Sequence, residues 1–210
     1  MKLVVDGKEW PVPAGAGKVM DVVRGVMDQL AQAGRGMVGM RVNGATVKPE
    51  DIRDQWCATP LDEDMEIELT SLPIREMVSH TLVELEKWLP ELPSSCAMLA
   101  RVFQGDDPES GFQYFNEFAR LWSEIKHQEQ YVVNALGLDL REILVDGKPL
   151  LEWHETLNTR LREAVEAFEK RDFVLLGDLL EYELTPFAAL EAKIVAALGE
   201  TNRAGGTDRS

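Results

Sequence analysis

The chain changes character at Ser71-Leu72-Pro73, and that break constrains the fold more than any other feature. Upstream of it, short segments of two-residue period are separated by turn signals: Asp6-Gly7, Gly15, Gly17, Gly34, Gly36, Gly39 and Asn43-Gly44. Downstream, apolar residues recur at helical spacing over stretches too long for strands. Two periodicities in series predict an α+β protein, with a small sheet unit over residues 1–72, an all-α bundle over 74–200 and a solvated tail over 201–210. With 210 residues and 45% hydrophobic content, the chain can bury real cores.

In the first unit, KLVVDGKEWPV alternates around Asp6-Gly7, a pair whose two residues tolerate positive φ and so predict a hairpin. KVMDVVRGVMDQLAQAG sets Val19, Val22, Val23, Val26, Met27 and Leu30 on one helical face and stops at Gly34. MVGMRVNGATV reads as a further strand running into an Asn43-Gly44 turn, and DEDMEIELTSL alternates Met65, Ile67 and Leu69 against Glu66 and Glu68. The predicted order is ββαββ. This order, with its "VNG" strand and late "DEDMEIEL" strand, resembles the β-grasp or ubiquitin-like superfold, in particular its small sulfur-carrier-type members. The resemblance implies a fold and no specific task.

The second part predicts about five helices. IREMVSHTLVELEKWL stops before Pro90, and LPSSCAMLARVFQ stops at Gly105. Asp107-Pro108 opens a long helix through Phe112, Phe115, Phe118, Trp122, Ile125, Val132 and Leu136, ended by Gly137. After an Asp146-Gly147 turn comes KPLLEWHETLNTRLREAVEAFEK. Asp172 then caps a last helix from Phe173 to about Leu198, with a kink expected at Pro186. VDGK occurs at both Val5 and Val145, without further likeness in the flanks, and reads as two independent turns.

Charge excludes several partners. The 22 Lys and Arg against 37 Asp and Glu give a net charge of −15, which repels phosphate backbones and anionic membranes. Residues 1–73 carry net −4 and residues 74–200 net −12, so the helical part holds most of the acidity. No basic start precedes an apolar run and no window approaches a membrane span, which leaves a cytoplasmic location as the expectation. Cys57 and Cys96 stand far apart with no metal-site spacing, and read as reduced thiols.

Known chemistries fail on particular residues. PAGAGK lacks the Gly of a phosphate loop at Val12 and its hydroxyl at Val19. A carrier needs a terminal Gly-Gly, but the sheet unit runs on into helices, and Gly205-Gly206 is followed by Thr207-Asp208-Arg209-Ser210. Glu124 and His127 have the Glu-x-x-His spacing of a di-iron ligand pair, yet a complete site takes a second such pair, and His80 and His154 follow Met77 and Leu151 instead. With Trp122 as the centre of the apolar stripe, His127 points about 140° away, toward solvent. No catalytic residue, cofactor or metal site is expected.

Three ionisable residues break the helical pattern. At 100° per residue, Lys126 falls at about +40° and Glu129 at about −20° from Trp122, and Glu183 at about −60° from Leu180, all within apolar sectors. An unpaired charge there would cost several kcal/mol, so burial predicts pairing of Lys126 with Glu129, or with Glu183 across the bundle. Such a polar layer could fix helix register or line a groove for a partner's basic side chain; alternatively these residues sit at the rim with extended stems. Asp178 and Glu181 fall in the polar wedge of the last helix and read as wet surface acids.

RDFVLLGDLLEYELTPF resembles a helical domain of uncharacterised bacterial proteins that carries a similar D-LLEYEL-P signature; this implies fold and bacterial origin without an activity. The resulting expectation is a non-catalytic interaction or adaptor protein for another protein, with no nucleic acid and no membrane. The alternatives are a metal-binding or enzymatic bundle using Glu124, His127, Asp178 or Glu181, and a chaperone-like bundle for one client.

Overall fold

The computed structural model describes residues 1–48, 51 and 56–205 of a mixed α+β chain that divides into two compact units, Met1–Met77 and Val78–Ser210. The first contains β1 (Lys2–Val5), β2 (Lys8–Glu9), α1 (Val19–Gln32), β3 (Arg35–Val42), β4 (Ala45–Thr46) and β5 (Glu66–Pro73). The sheet order is β2-β1-β5-β3-β4; β1 and β5 run parallel in its middle and the other pairs are antiparallel. The expected ββαββ order thus gains a strand, because the two residues after Asn43-Gly44 fold back onto Arg41 and Val42.

Both hairpin turns put two consecutive residues at positive φ, 51° and 76° at Asp6-Gly7 and 49° and 79° at Asn43-Gly44, the geometry that matches strand twist. The valines of α1 and Leu30 meet Leu3, Val5, Met40, Val42, Ile67 and Leu69 in one core, and period-2 alternation in the strands supplies the sheet side of it. Asp6 also pins the sheet: its carboxylate accepts from Ser71 N at 2.7 Å, from Ser71 Oγ at 2.6 Å and from Arg35 Nη2 at 3.1 Å. The Ser71 hydroxyl, then its backbone N–H and Arg35, hold the Asp6 carboxyl below the usual carboxylate range against a smaller desolvation effect.

The second unit comprises most of α2 (Ile74–Trp88), then α3 (Leu92–Phe103), α4 (Phe112–Leu136), a hairpin of β6 (Leu144–Val145) and β7 (Lys148–Pro149), α5 (Leu150–Glu169), α6 (Phe173–Asp178) and α7 (Thr185–Ala204). The Asp146-Gly147 turn has φ of 51° and 77°, the same geometry as Asp6-Gly7, so VDGK encodes one turn type twice. Short 3₁₀ turns, Leu89–Glu91 and Pro108–Gly111, join α2 to α3 and lead into α4. Asp172 caps α6 by accepting from Leu175 N at 3.1 Å. Asp172→Ala is expected to lower stability by about 1 kcal/mol, read as a shift in the urea midpoint.

The last helix departs from expectation in two ways. Between α6 and α7 the backbone continues through a π segment, Leu179–Leu184, and Pro186 lies in the first turn of α7 rather than at a kink. A proline inside an α-helix would clash with the carbonyl four residues back; widening the preceding turn removes the conflict, and Thr185 Oγ1 donates to Leu180 O at 2.8 Å. Second, α7 runs on to Ala204, into residues assigned above to the tail; Asn202 is buried, its Nδ2 donating to Ser79 Oγ at 3.0 Å. Gly206–Ser210 lie outside the described residues. Among those described, no helix is long and apolar enough to cross a membrane.

Candidate functional site

The bundle's apolar stripes meet around a cluster of charge. Glu129 on α4 is 1% exposed and Lys126, one turn earlier, 22% exposed. Lys126 Nζ donates to Glu129 Oε2 at 2.9 Å and lies 2.5 Å from Oε1 of Glu191, a fully buried residue of α7. From α5, His154 Nε2 stands 3.5 Å from Glu129 Oε2.

Burial is the largest influence on Glu191, His154 and Lys126. It pushes Glu191 up to about 8, with the Glu129 charge adding to the shift and Lys126 opposing it. It pushes His154 down to about 4, helped by Lys126, so the imidazole is neutral and its contact with Glu129 is no ion pair. For Lys126 burial acts downward, but the charges of Glu129 and Glu191 outweigh it and hold the ammonium above the ordinary lysine range. Glu191 Oε2, Glu129 Oε1 and His154 Nε2 are buried without hydrogen-bond partners, which at native sites calls for a physical explanation.

The structure thus brings Lys126 and Glu129 together and leaves Glu183 out. Glu183 Oε2 instead pairs with Arg160 Nε at 3.1 Å, its side chain 41% exposed, on the bundle's rim. The 100° arithmetic fails there because Glu183 lies in the π segment, whose i→i+5 bonding rotates each residue by less. Asp178 and Glu181 are exposed and receive Gln104 Nε2 at 3.3 and 3.4 Å. Glu124 and His127 are exposed as well; Glu124 accepts from Gln128 Nε2 at 2.6 Å, and the described residues contain no group of three or more His, Cys, Asp or Glu arranged to hold a metal ion. Cys57 is exposed. Cys96 is buried, which pushes its thiol up to about 12 although Thr185 hydrogen-bonds it.

Glu191 and His154 complete the cluster and escaped the sequence reading. The signal was present: Glu191 is four residues after Phe187 and three before Ile194, and His154 lies between Leu150 and Leu157, all four of these neighbours buried.

A second feature is an open groove of about 320 Å³ between α2 and α4. Leu85, Leu121 and Ile125 form its apolar wall, Trp88 stands beside them 51% exposed, and Glu84, Glu124 and His80 rim it.

Residues 80–190 match the family described as a domain of unknown function, DUF8042. The chain belongs to this family. The DUF8042 region contains Lys126, Glu129, His154 and every residue of the groove, and stops one position before Glu191. A relative, an uncharacterized protein of the bacterium Treponema pallidum (strain Nichols), is 26% identical over 152 residues, 69% of this chain and 70% of that protein. No solved structure matches the chain.

Proposed function

We propose that this protein is a non-catalytic adaptor whose helical unit receives, in the groove between α2 and α4, a basic amphipathic helix of another protein. The carrying observation is Trp88, a large aromatic half out of the protein beside an apolar wall with glutamates at its edge. Exposed aromatics of this kind anchor helix-in-groove recognition. Charge selects the occupant: Glu84 and Glu124 flank the groove and residues 74–200 carry net −12, which favours Lys or Arg on the incoming helix.

The sheet unit is proposed to be a β-grasp, ubiquitin-like module, a reading supported by α1 packed on a mixed sheet with β1 and β5 parallel at its centre. Its edges are poorer docking sites than the groove, since β2 and β4 have two residues each and β3 is bulged at Met37/Gly39. A cytoplasmic location is part of the proposal.

The test compares affinity capture through the wild type with capture through Trp88→Ala and Glu124→Lys. A captured protein carrying a basic amphipathic helix is expected to lose about 2 kcal/mol of affinity, roughly thirty-fold, with Trp88→Ala. With Glu124→Lys its association is expected to slow and to lose salt sensitivity. Capture indifferent to both changes overturns the reading, as does a wild-type homodimer that Trp88→Ala dissociates, which would assign the groove to a second copy.

A further inference from the structure

The buried cluster holds one lysine, two glutamates and a neutral histidine, so with both acids ionised it would bury a net negative charge. An isolated charge in a protein core is removed by protonation wherever a titratable group permits it. The two glutamates reach one another as well as Lys126, and with Glu191 Oε1 on the Lys126 ammonium the oxygens lacking partners are Glu129 Oε1 and Glu191 Oε2. A proton on Glu191, donated to Glu129, would satisfy an orphan oxygen on each side and neutralise the cluster.

We propose that Glu129 and Glu191 hold a single proton between them at neutral pH, forming a carboxyl–carboxylate bond that locks α4 to α7 and loosens when that proton is released to solvent. Release leaves two carboxylates against one ammonium, with net charge −1 in the core. The groups facing Glu191 are Lys126 and Glu129 from α4 and His154 from α5. The other packed elements turn their ionisable groups elsewhere. On α3, Cys96 meets Thr185; on the hairpin, Asp146 pairs with Lys193 at 2.6 Å. The π segment directs Glu181 to Gln104 and Glu183 to Arg160, α2 turns His80 and Glu84 to the groove, and Glu91 is exposed.

The pH dependence has a definite sign. Glu191 binds its proton more tightly folded, at about 8, than at its ordinary 4.5, so its contribution is fully present below the ordinary value and lost as pH rises through about 8. His154 binds its proton less tightly folded, at about 4 against 6.5, so its contribution grows with pH across that interval. The two oppose each other up to pH 6.5; above it only the falling limb remains, ending near pH 8.

Carbon-13 titration of glutamate side-chain carboxyls by NMR, on the full chain, tests this directly. One signal is expected to be protonated at pH 7 and to titrate near pH 8, and to vanish in Glu191→Gln. Glu129→Gln, which leaves Glu191 facing Lys126 without a rival acid, is expected to abolish the protonated signal at pH 7. The urea midpoint of the wild type should fall between pH 6.5 and 8, while that of Glu191→Gln stays flat. A folded wild type with every glutamate ionised at pH 7 overturns the proposal even if neither variant folds. Equal pH profiles for wild type and Glu191→Gln do the same.

Discussion

Lys126→Met is expected to lower the folding stability of the helical unit by about 3–5 kcal/mol, the cost of leaving buried acids without their cation. Met keeps an unbranched stem, so the loss reports charge more than volume. An exposed ion pair would contribute only about 0–1 kcal/mol. Lys126 differs because its partners, Glu129 and Glu191, are 1% and 0% exposed and cannot turn to water. The loss should be greater at pH 8 than at pH 5.5, since at the lower pH the abandoned carboxyls can take up protons and relieve part of it. Adding Glu129→Gln should recover part of the stability, a coupling visible in a double-mutant cycle. Chemical denaturation followed by the helix signal measures each value, and a loss below about 1 kcal/mol for Lys126→Met would refute the buried-charge account.

Phe103→Ala should be nearly as damaging, at about 3–5 kcal/mol. The Phe103 ring is 2% exposed and meets Phe115 edge-on at 5.9 Å, Phe168 at 6.3 Å and Phe173 stacked at 5.9 Å. Phe112 closes the group, 5.0 Å from Phe168 and 5.7 Å from Phe173. These five rings come from α3, α4, α5 and α6, so truncating Phe103 opens a cavity that four elements would have to move together to fill. Gly111 abuts the same ring, a Cβ there standing 3.0 Å from Phe103, which leaves little slack on that side. The melting temperature should fall by roughly 10 °C, and Phe103→Leu should lose much less because it refills most of the space. Equal losses for Ala and Leu would show that the aromatic contacts, rather than the cavity, set the cost.

Local chemistry left its mark in the sequence wherever the decisive interaction is short-range. Asp6-Gly7, Asn43-Gly44 and Asp146-Gly147 announce turns because few other residue pairs accept two successive positive φ values. Asp172 announces a helix start because its side chain reaches a backbone N–H three residues on. The inward direction of Lys126 and Glu129 was legible for the same reason, since α4 is an unbroken α-helix whose period converts spacing into direction. Glu183 was misread because that conversion assumes one constant period, and the π turn ahead of Pro186 breaks it.

What the sequence by itself determined is the set of elements, the change of character near Pro73 and the acidity of the helical unit. Only the tertiary structure decided which charges meet. Lys126, His154 and Glu191 are separated by 28 and 37 positions and come from three helices, and no local pattern encodes how α4, α5 and α7 are rotated against one another. That rotation follows from packing the apolar stripes of all the helices at once, and it decides whether a misplaced acid reaches water or shares a proton in the core.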